Sequence, residues 1–136
     1  MPSPNLDLVR SIVADWERGD YRSADWAHPE IEFEIPDGPA PGGQWTGLAG
    51  LAQGFRGWLS TWEEYRVDGV DECRELDDER ILVLVRHSGR GKASGLELGQ
   101  VSAKGAAVLY VRDGRVTRLV LYLDHNRALA DLGLKE

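Results

Sequence analysis

The sequence holds three histidines, the side chains that ordinarily titrate near neutral pH. His87 follows the apolar run ILVLV and shares a face of its predicted strand with Val83 and Val85, so it is the best candidate for a general acid or base. A histidine at a strand end is also commonly a hydrogen-bonded surface residue, and that interpretation stays open. His28, which precedes Pro29, is predicted to be a structural hydrogen bonder.

Asp124 is a second candidate for acid chemistry, since it stands beside His125 at the end of a predicted strand. The next seven residues, 126–132, have the pattern of a short helix, and Gly133 follows them as a stop signal. Aspartate directly before a helix is a common N-cap, so capping is the preferred interpretation of Asp124.

Other kinds of catalytic site lack their sequence patterns. The histidines are scattered, and there is no His-x-x-x-His or Cys-x-x-Cys pair, so no metal is predicted. Cys73 is the single cysteine and cannot form an internal disulfide, and we interpret it as a structural strand thiol. There is also no Gly-x-Ser-x-Gly elbow and no phosphate-binding loop, and no cofactor is predicted.

Five tryptophans are many for a chain of 136 residues. An indole buries a large apolar area and keeps one N–H donor, which suits the wall of a ligand pocket, although ordinary core packing explains the same pattern. The predicted ligand-binding set consists of aromatic and leucine residues on the helices and strands that should enclose a pocket: Trp16, Trp26, Phe33, Trp58, Trp62, Leu109 and Leu121.

Composition limits the classes of partner. With 42% hydrophobic and 29% charged residues the chain is predicted to form one soluble domain over residues 1–136. A formal charge of -7 excludes phosphate-backbone binding of nucleic acid as the expected role. The apolar runs are too short for a membrane span and the N-terminus lacks a signal-peptide core, so a cytoplasmic location without membrane binding is expected.

The spacing of apolar residues predicts helices over 5–18, 20–27, 48–64 and 126–132. These helices must help to position the candidate site residues. The first carries a stripe at Leu6, Val9, Ile12, Val13 and Trp16. The third carries a stripe at Leu48, Leu51, Ala52, Phe55, Leu59 and Trp62, with Trp58 beside it, and it is weakened by Gly50, Gly54 and Gly57.

Strands are predicted over 30–35, 65–76, 80–88, 100–112 and 115–123, with another beginning near Leu96 and a loop over 36–47. The last two strands form a hairpin over Asp113-Gly114, expected in mid-sheet. Alternation places Thr117, Leu119, Leu121 and Leu123 on one face and Val116, Arg118, Val120 and Tyr122 on the other. Both faces are largely apolar, so one should face the helices and the outer one needs further cover, such as a partner subunit.

Helices followed by grouped strands indicate an α+β fold with a curved antiparallel sheet around the helices. Three segments, ADWAHPEIEFEIP at 24–36, WTGLAGLAQGF at 45–55 and VRDGRVTRLVLYLDHNRALADLGL at 111–134, resemble the SnoaL-like branch of the nuclear-transport-factor-two-like superfamily. The resemblance implies a cone-shaped, cystatin-like roll with an internal pocket and frequent dimers through the outer sheet face. That superfamily includes polyketide cyclases, ketosteroid isomerases, dehydratases and epoxide hydrolases.

The enzymes of that superfamily place an ionisable residue on the first strand or on the last two. The matching positions here are Ile35, Ala107 and Leu121, all apolar. We therefore expect an apolar, aromatic-lined pocket that binds a small hydrophobic molecule of about ten atoms. The alternatives are an isomerase, cyclase or dehydratase that uses His87 as general acid or base, and an interaction module that forms a homodimer through Val116, Val120, Tyr122, Val108 and Tyr110.

Overall fold

The computed structural model describes residues 4–20, 25–36, 43–91 and 104–134. In this part of the chain the helices are α1 (Pro4–Glu17), α2 (Gly47–Thr61) and α3 (His125–Asp131). The strands are β1 (Ala27–Glu34), β2 (Gln44–Thr46), β3 (Trp62–Glu75), β4 (Arg80–Gly91), β5 (Lys104–Arg112) and β6 (Arg115–Tyr122). They form one sheet in the order β2-β1-β6-β5-β4-β3. The predicted α+β class is confirmed.

The β5–β6 hairpin lies in the middle of this sheet, as predicted. Asp113 and Gly114 both have positive φ, at 53° and 77°, which is the backbone of a two-residue type I′ turn. Asparagine, aspartate and glycine adopt such angles most easily, so the Asp-Gly pair fixes the turn and the register of the strands. Residues 100–103, predicted to begin the first strand of the hairpin, lie outside the described residues.

One strand pair differs from the predicted antiparallel arrangement. β1 lies parallel to β6, with Phe33 opposite Leu119, whereas the other pairs are antiparallel. The sequence separating β1 from β6 contains the rest of the sheet, so no short turn imposes an antiparallel direction on this pair. The alternation predicted for β1 is correct, because Ile31, Phe33 and Ile35 are buried.

Several predicted boundaries were wrong because backbone pairing within the sheet outweighs local preference. Ala27, predicted to end a second helix, lies in β1, and residues 21–24 are outside the described part. The predicted loop contains β2, whose Trp45 pairs with Phe33. α2 ends at Thr61, and Trp62 pairs with Gly91 as the start of β3. The strand predicted near Leu96 also lies outside the described residues.

A β-bulge in β6 places some of its residues on a different face of the sheet from the predicted one. The register shifts where Tyr110 and Val111 face Arg118 and Val116, which leaves Thr117 as an extra residue. Val116 consequently belongs to the inner core, and its assignment to the outer face was wrong. Beyond the bulge the predicted alternation holds: Leu119 and Leu121 face inward, and Val120 and Tyr122 face outward.

Helices α1 and α2 cover the inner face of the sheet. α1 buries the apolar stripe predicted for it, through Val9, Ile12, Val13 and Trp16. α2 buries Leu51, Phe55 and Trp58, whereas Leu48 is 43% exposed and Ala52 is exposed. The buried stripe of α2 is therefore rotated from the predicted one toward Trp58. None of the described helices is long and apolar enough to cross a membrane.

Helix α3 packs on the outer face. Ala128 and Leu129 lie against Leu82, Val108 and Val120, and the Tyr122 hydroxyl donates a hydrogen bond of 3.0 Å to Asp131. Part of the cover expected from a partner subunit is thus supplied by the chain itself.

Asp124 begins α3 as an N-cap, as predicted, and accepts a hydrogen bond of 3.1 Å from the Asn126 N–H. Gly133, with φ 71°, ends the helix region as predicted.

Two glycines of α2 provide a matched test of its packing. A Cβ on Gly54 would lie 2.5 Å from Cδ2 of Phe33 and 2.9 Å from Cδ2 of Trp45, whereas nothing lies within 4 Å of a Cβ on Gly57. We expect Gly54→Ala to lower the free energy of unfolding by about 1–3 kcal/mol, because the aromatic rings must move. Gly57→Ala should raise it by about 0.5–1 kcal/mol through helix propensity. Urea unfolding of both variants checks this, and equal effects would contradict the close approach at Gly54.

The β3–β4 turn should make stability depend on pH. The Asp77 carboxylate accepts hydrogen bonds from the Glu79 and Arg80 N–H groups and pairs with the Arg80 guanidinium, which lowers its pKa from 3.8 to about 2. A folded-state pKa below the unfolded one gives stability that is present above pH 3.8 and is lost as the pH falls toward 2. Asp77→Asn should therefore flatten the fall of Tm over that range. Asp78→Asn in the same turn is the control, and a profile like that of Asp77→Asn would contradict the assignment.

Candidate functional site

A cavity lies between α1, α2 and the inner face of the sheet. Its free volume is about 30 Å³, above the roughly 10–15 Å³ that a water molecule needs. Large apolar side chains form most of its wall: Trp16, Phe55, Trp58, Val67, Val85 and Leu121. Backbone or side-chain atoms of Ala106, Ala107 and Tyr122 complete it, together with the polar side chains of Tyr65 and His87. The cavity is thus apolar and aromatic but smaller than a ten-atom ligand requires.

His87 lies in this wall with 3% of its surface exposed, and it is the single buried polar or charged residue identified among the described residues. It sits on β4 opposite Val67 of β3. Its Nε2 atom is 3.1 Å from the carbonyl oxygen of Leu123, and its Nδ1 atom is 3.2 Å from the Tyr65 hydroxyl oxygen. The alternative of a surface histidine at a strand end was therefore wrong: His87 points inward and has polar partners.

The tautomer of a neutral His87 follows from these partners. A carbonyl oxygen can only accept a hydrogen bond, so Nε2 carries the proton and donates it to Leu123. Nδ1 is then an acceptor, and the Tyr65 hydroxyl is the donor to it. The rings of Tyr65 and His87 stand edge to face, with centroids 5.8 Å apart.

Gly105 makes room for the imidazole ring. It pairs with Val85 on β4, two residues before His87. A Cβ at Gly105 would lie 2.6 Å from Cε1 of His87 and 2.9 Å from the carbonyl oxygen of Tyr122, so any side chain there would displace the ring or the strand. Sequence reasoning did not identify Gly105 as part of the site.

Tyr65 is the second site residue that sequence reasoning missed. It packs edge to face against Trp58, with centroids 5.4 Å apart, and lines the cavity beside Val67. The signal was available, because Tyr65 and Val67 are two residues apart in a predicted strand and must share a face. Because the sequence did not show which face of β3 points inward, Tyr65 was not identified as a cavity residue.

The structure separates the predicted ligand-binding residues into two groups. Trp16, Trp58 and Leu121 line the cavity. Trp26, Phe33 and Leu109 are buried in the core outside the lining; Trp26 contacts the edge of Trp16, and Phe33 stacks with Phe55 at 5.0 Å. Trp62 lies at the start of β3, and its side chain is outside the described part of the chain.

The two positions on the last strands that the sequence resemblance predicted as counterparts of catalytic residues face the cavity without an ionisable group. Ala107 and Leu121 pair across β5 and β6 and both line the wall. The third, Ile35, is buried outside the lining. Among the lining residues that the structure describes, proton transfer would therefore have to use His87 and Tyr65.

Other candidate residues lie away from the cavity. His28 accepts a hydrogen bond of 3.0 Å from the Glu30 N–H. Cys73 is half-buried, and burial raises the pKa of its thiol, which favours the unreactive protonated form. Across residues 4–20, 25–36, 43–91 and 104–134 no three His, Cys, Asp or Glu side chains converge as metal ligands would.

Comparison with known structures identifies the fold. An NTF2-like protein of unknown function from Burkholderia pseudomallei is 24% identical over 95% of this chain and 97% of its own, with a TM-score of 0.74. TerC, co-crystallised with polyporic acid, is 22% identical over 96% of this chain and 98% of its own, with a TM-score of 0.71. A candidate polyketide cyclase from Xanthomonas campestris pv. campestris is 18% identical over 93% and 95%, with a TM-score of 0.69.

These likenesses show that the chain has the NTF2-like fold. No curated protein sequence matches it. The family model of the SnoaL-like domain matches residues 9–119, which include α1 from Val9 onward, the whole of α2 and the sheet as far as Leu119. The chain therefore belongs to the SnoaL-like domain family.

Proposed function

We propose that this protein binds a small hydrophobic molecule in the cavity between α1, α2 and the sheet. The observation that carries the proposal is the lining, which consists of aromatic and aliphatic side chains with one polar pair, the buried His87 and the half-buried Tyr65. Such a lining gives affinity through apolar burial and orientation through a few polar contacts, as in most small-molecule sites. The co-crystallisation of TerC with polyporic acid supports the use of this fold for small molecules.

Binding requires the cavity to widen. Its free space is about 30 Å³, whereas a dry cavity that admits benzene measures roughly 150 Å³. The side chains that would have to move include Trp58 and Tyr65, which pack edge to face in the cavity wall. Leu121, which is only partly buried, is a third. Rotation of such side chains is a common response to a ligand, and the proposal depends on it.

A cavity-filling substitution tests binding. We expect 4-fluorotoluene, followed by fluorine NMR, to bind the protein, and Ala107→Val to weaken binding at least about tenfold because two added methyl groups occupy the free space. Ala130→Val is the control, because it makes the same change on the exposed side of α3. Absence of binding to the unaltered protein, or equal binding by both variants, would contradict the proposal.

A second candidate function is an isomerase, cyclase or dehydratase that uses His87 as general acid or base. The burial of His87 in the cavity wall, with the Tyr65 hydroxyl 3.2 Å from its Nδ1 atom, favours it, because Nδ1 could take the Tyr65 proton as that hydroxyl receives one from a substrate. The apolar side chains at Ala107 and Leu121 leave no carboxylate there to share the task.

Deuterium exchange of an enolisable ketone tests this second candidate. If His87 acts as a base, the protein should accelerate exchange at the carbon between the ring and the carbonyl of 4-fluorophenylacetone, measured by proton NMR. His87→Gln should slow the catalysed exchange on the order of 100-fold. His28→Gln, the same change away from the cavity, should have no effect. A catalysed rate that survives in His87→Gln rules His87 out as the base.

The cytoplasmic location and the homodimer stay predictions. A dimer through the outer sheet face would have to differ from the expected one, because Val108, Val120 and Tyr122 are buried within the chain and Val116 faces inward. The groups that the described part of this face still offers include the partly buried side chains of Leu84 and Tyr110 and the side chain of Arg118, which is 41% exposed.

A further inference from the structure

We propose that Tyr65 determines the specificity of the cavity and selects a hydrophobic molecule that carries a hydrogen-bond donor, such as a phenol or an enol. The inference rests on the proposed binding function and names its ligand class. It follows from the direction of the hydrogen bonds that run from the carbonyl of Leu123 through His87 to Tyr65.

Both nitrogens of His87 contact protein atoms. In neutral His87, Nε2 donates to the Leu123 carbonyl, and Nδ1 receives the hydrogen bond of the Tyr65 hydroxyl. A ligand that reached an imidazole nitrogen directly would have to break one of these bonds. Tyr65 also lines the cavity, so its hydroxyl is the polar group that a ligand can meet while both bonds stay in place.

The position of the Tyr65 proton sets what the hydroxyl offers to a ligand. A phenolic hydroxyl has one proton and two lone pairs. Because the proton is directed at Nδ1 of His87, the oxygen can only accept from the ligand. A ligand hydroxyl satisfies this acceptor, whereas a carbonyl or ether would bring two acceptors together.

The apolar wall strengthens this selection. Trp58 lies against the edge of Tyr65, and Val67, Val85 and Leu121 offer no side-chain hydrogen bond. The indole N–H groups of Trp16 and Trp58 can only donate, so a ligand hydroxyl that misses Tyr65 finds no side-chain acceptor among these residues, which costs affinity. The matched class is a compact hydrophobic molecule with a hydroxyl at one end.

Three para-substituted fluorobenzenes measure the preference by fluorine NMR: 4-fluorophenol as donor, 4-fluorobenzaldehyde as acceptor and 4-fluorotoluene as apolar reference. From the unaltered protein to Tyr65→Phe, the affinity for 4-fluorophenol relative to 4-fluorotoluene should fall about tenfold. The relative affinity for 4-fluorobenzaldehyde should not fall. In His87→Leu the Tyr65 proton is released from Nδ1, so the relative affinity for the aldehyde should rise about tenfold.

Nitrogen NMR of histidine-labelled protein tests the same inference without a variant. The expected form of His87 has its proton on Nε2, whereas a proton on Nδ1 would reverse the direction of the bonds and overturn the inference. An equal or larger loss for the aldehyde in Tyr65→Phe, or no loss for the phenol, would overturn it as well. If 4-fluorotoluene itself does not bind the unaltered protein, the proposed binding function fails and the inference fails with it.

Discussion

The burial of the β5–β6 hairpin on both of its faces is the constraint on which the rest of the structure depends. Leu109 and Leu119 face inward, toward the core that α1 and α2 cover, and Val108 and Val120 face outward, toward α3. Burial of apolar surface is the main favourable term in folding, and a sheet with two apolar faces needs two covers. The three helices of the described chain provide them, which leaves the cavity on the inner side.

The residues between β6 and α3 connect the site on the inner face of the sheet with the helix on its outer face. The Leu123 carbonyl accepts the hydrogen bond from His87, and the next residue, Asp124, caps α3. The inner site and the outer helix are therefore held by adjacent residues of one strand end. A shift of this junction would move the acceptor that fixes the His87 tautomer and the start of the helix that covers Val120, so the orientation of the site depends on the packing of the opposite face.

Aromatic residues serve two purposes in the core. Phe33, Trp45 and Phe55 stack between β1, β2 and α2, where Gly54 lets the helix approach closely. Trp58, about one turn after Phe55 in α2, packs edge to face against Tyr65 of β3 in the cavity wall. Phe33 and Trp45 act in packing, whereas Trp58 and Tyr65 border free volume and a buried histidine; Phe55 does both, because it also lines the cavity. The same residue types thus differ in role through position alone.

The amino-acid sequence by itself determined the features that depend on neighbouring residues. Asp113-Gly114 specified the hairpin turn, the spacing of Val9, Ile12 and Val13 specified α1, and Asp124 specified the start of α3, because turn angles, helical periodicity and capping are local. The face that His87 shares with Val85 marked it as a candidate for the pocket, although a surface position stayed open. These local patterns were enough for the fold class and one member of the polar pair.

Only the tertiary structure decided the features that depend on distant residues. The parallel pairing of β1 with β6, the bulge that turns Val116 inward and the ending of α2 before Trp62 all follow from backbone hydrogen bonds between segments far apart in the chain. Tyr65 and His87 are 22 residues apart, and their contact, like the room that Gly105 leaves for the ring, exists only after β3, β4 and β5 pair. Periodicity gives the face of each strand but not the partner across it, so the chemistry of the cavity required the folded sheet.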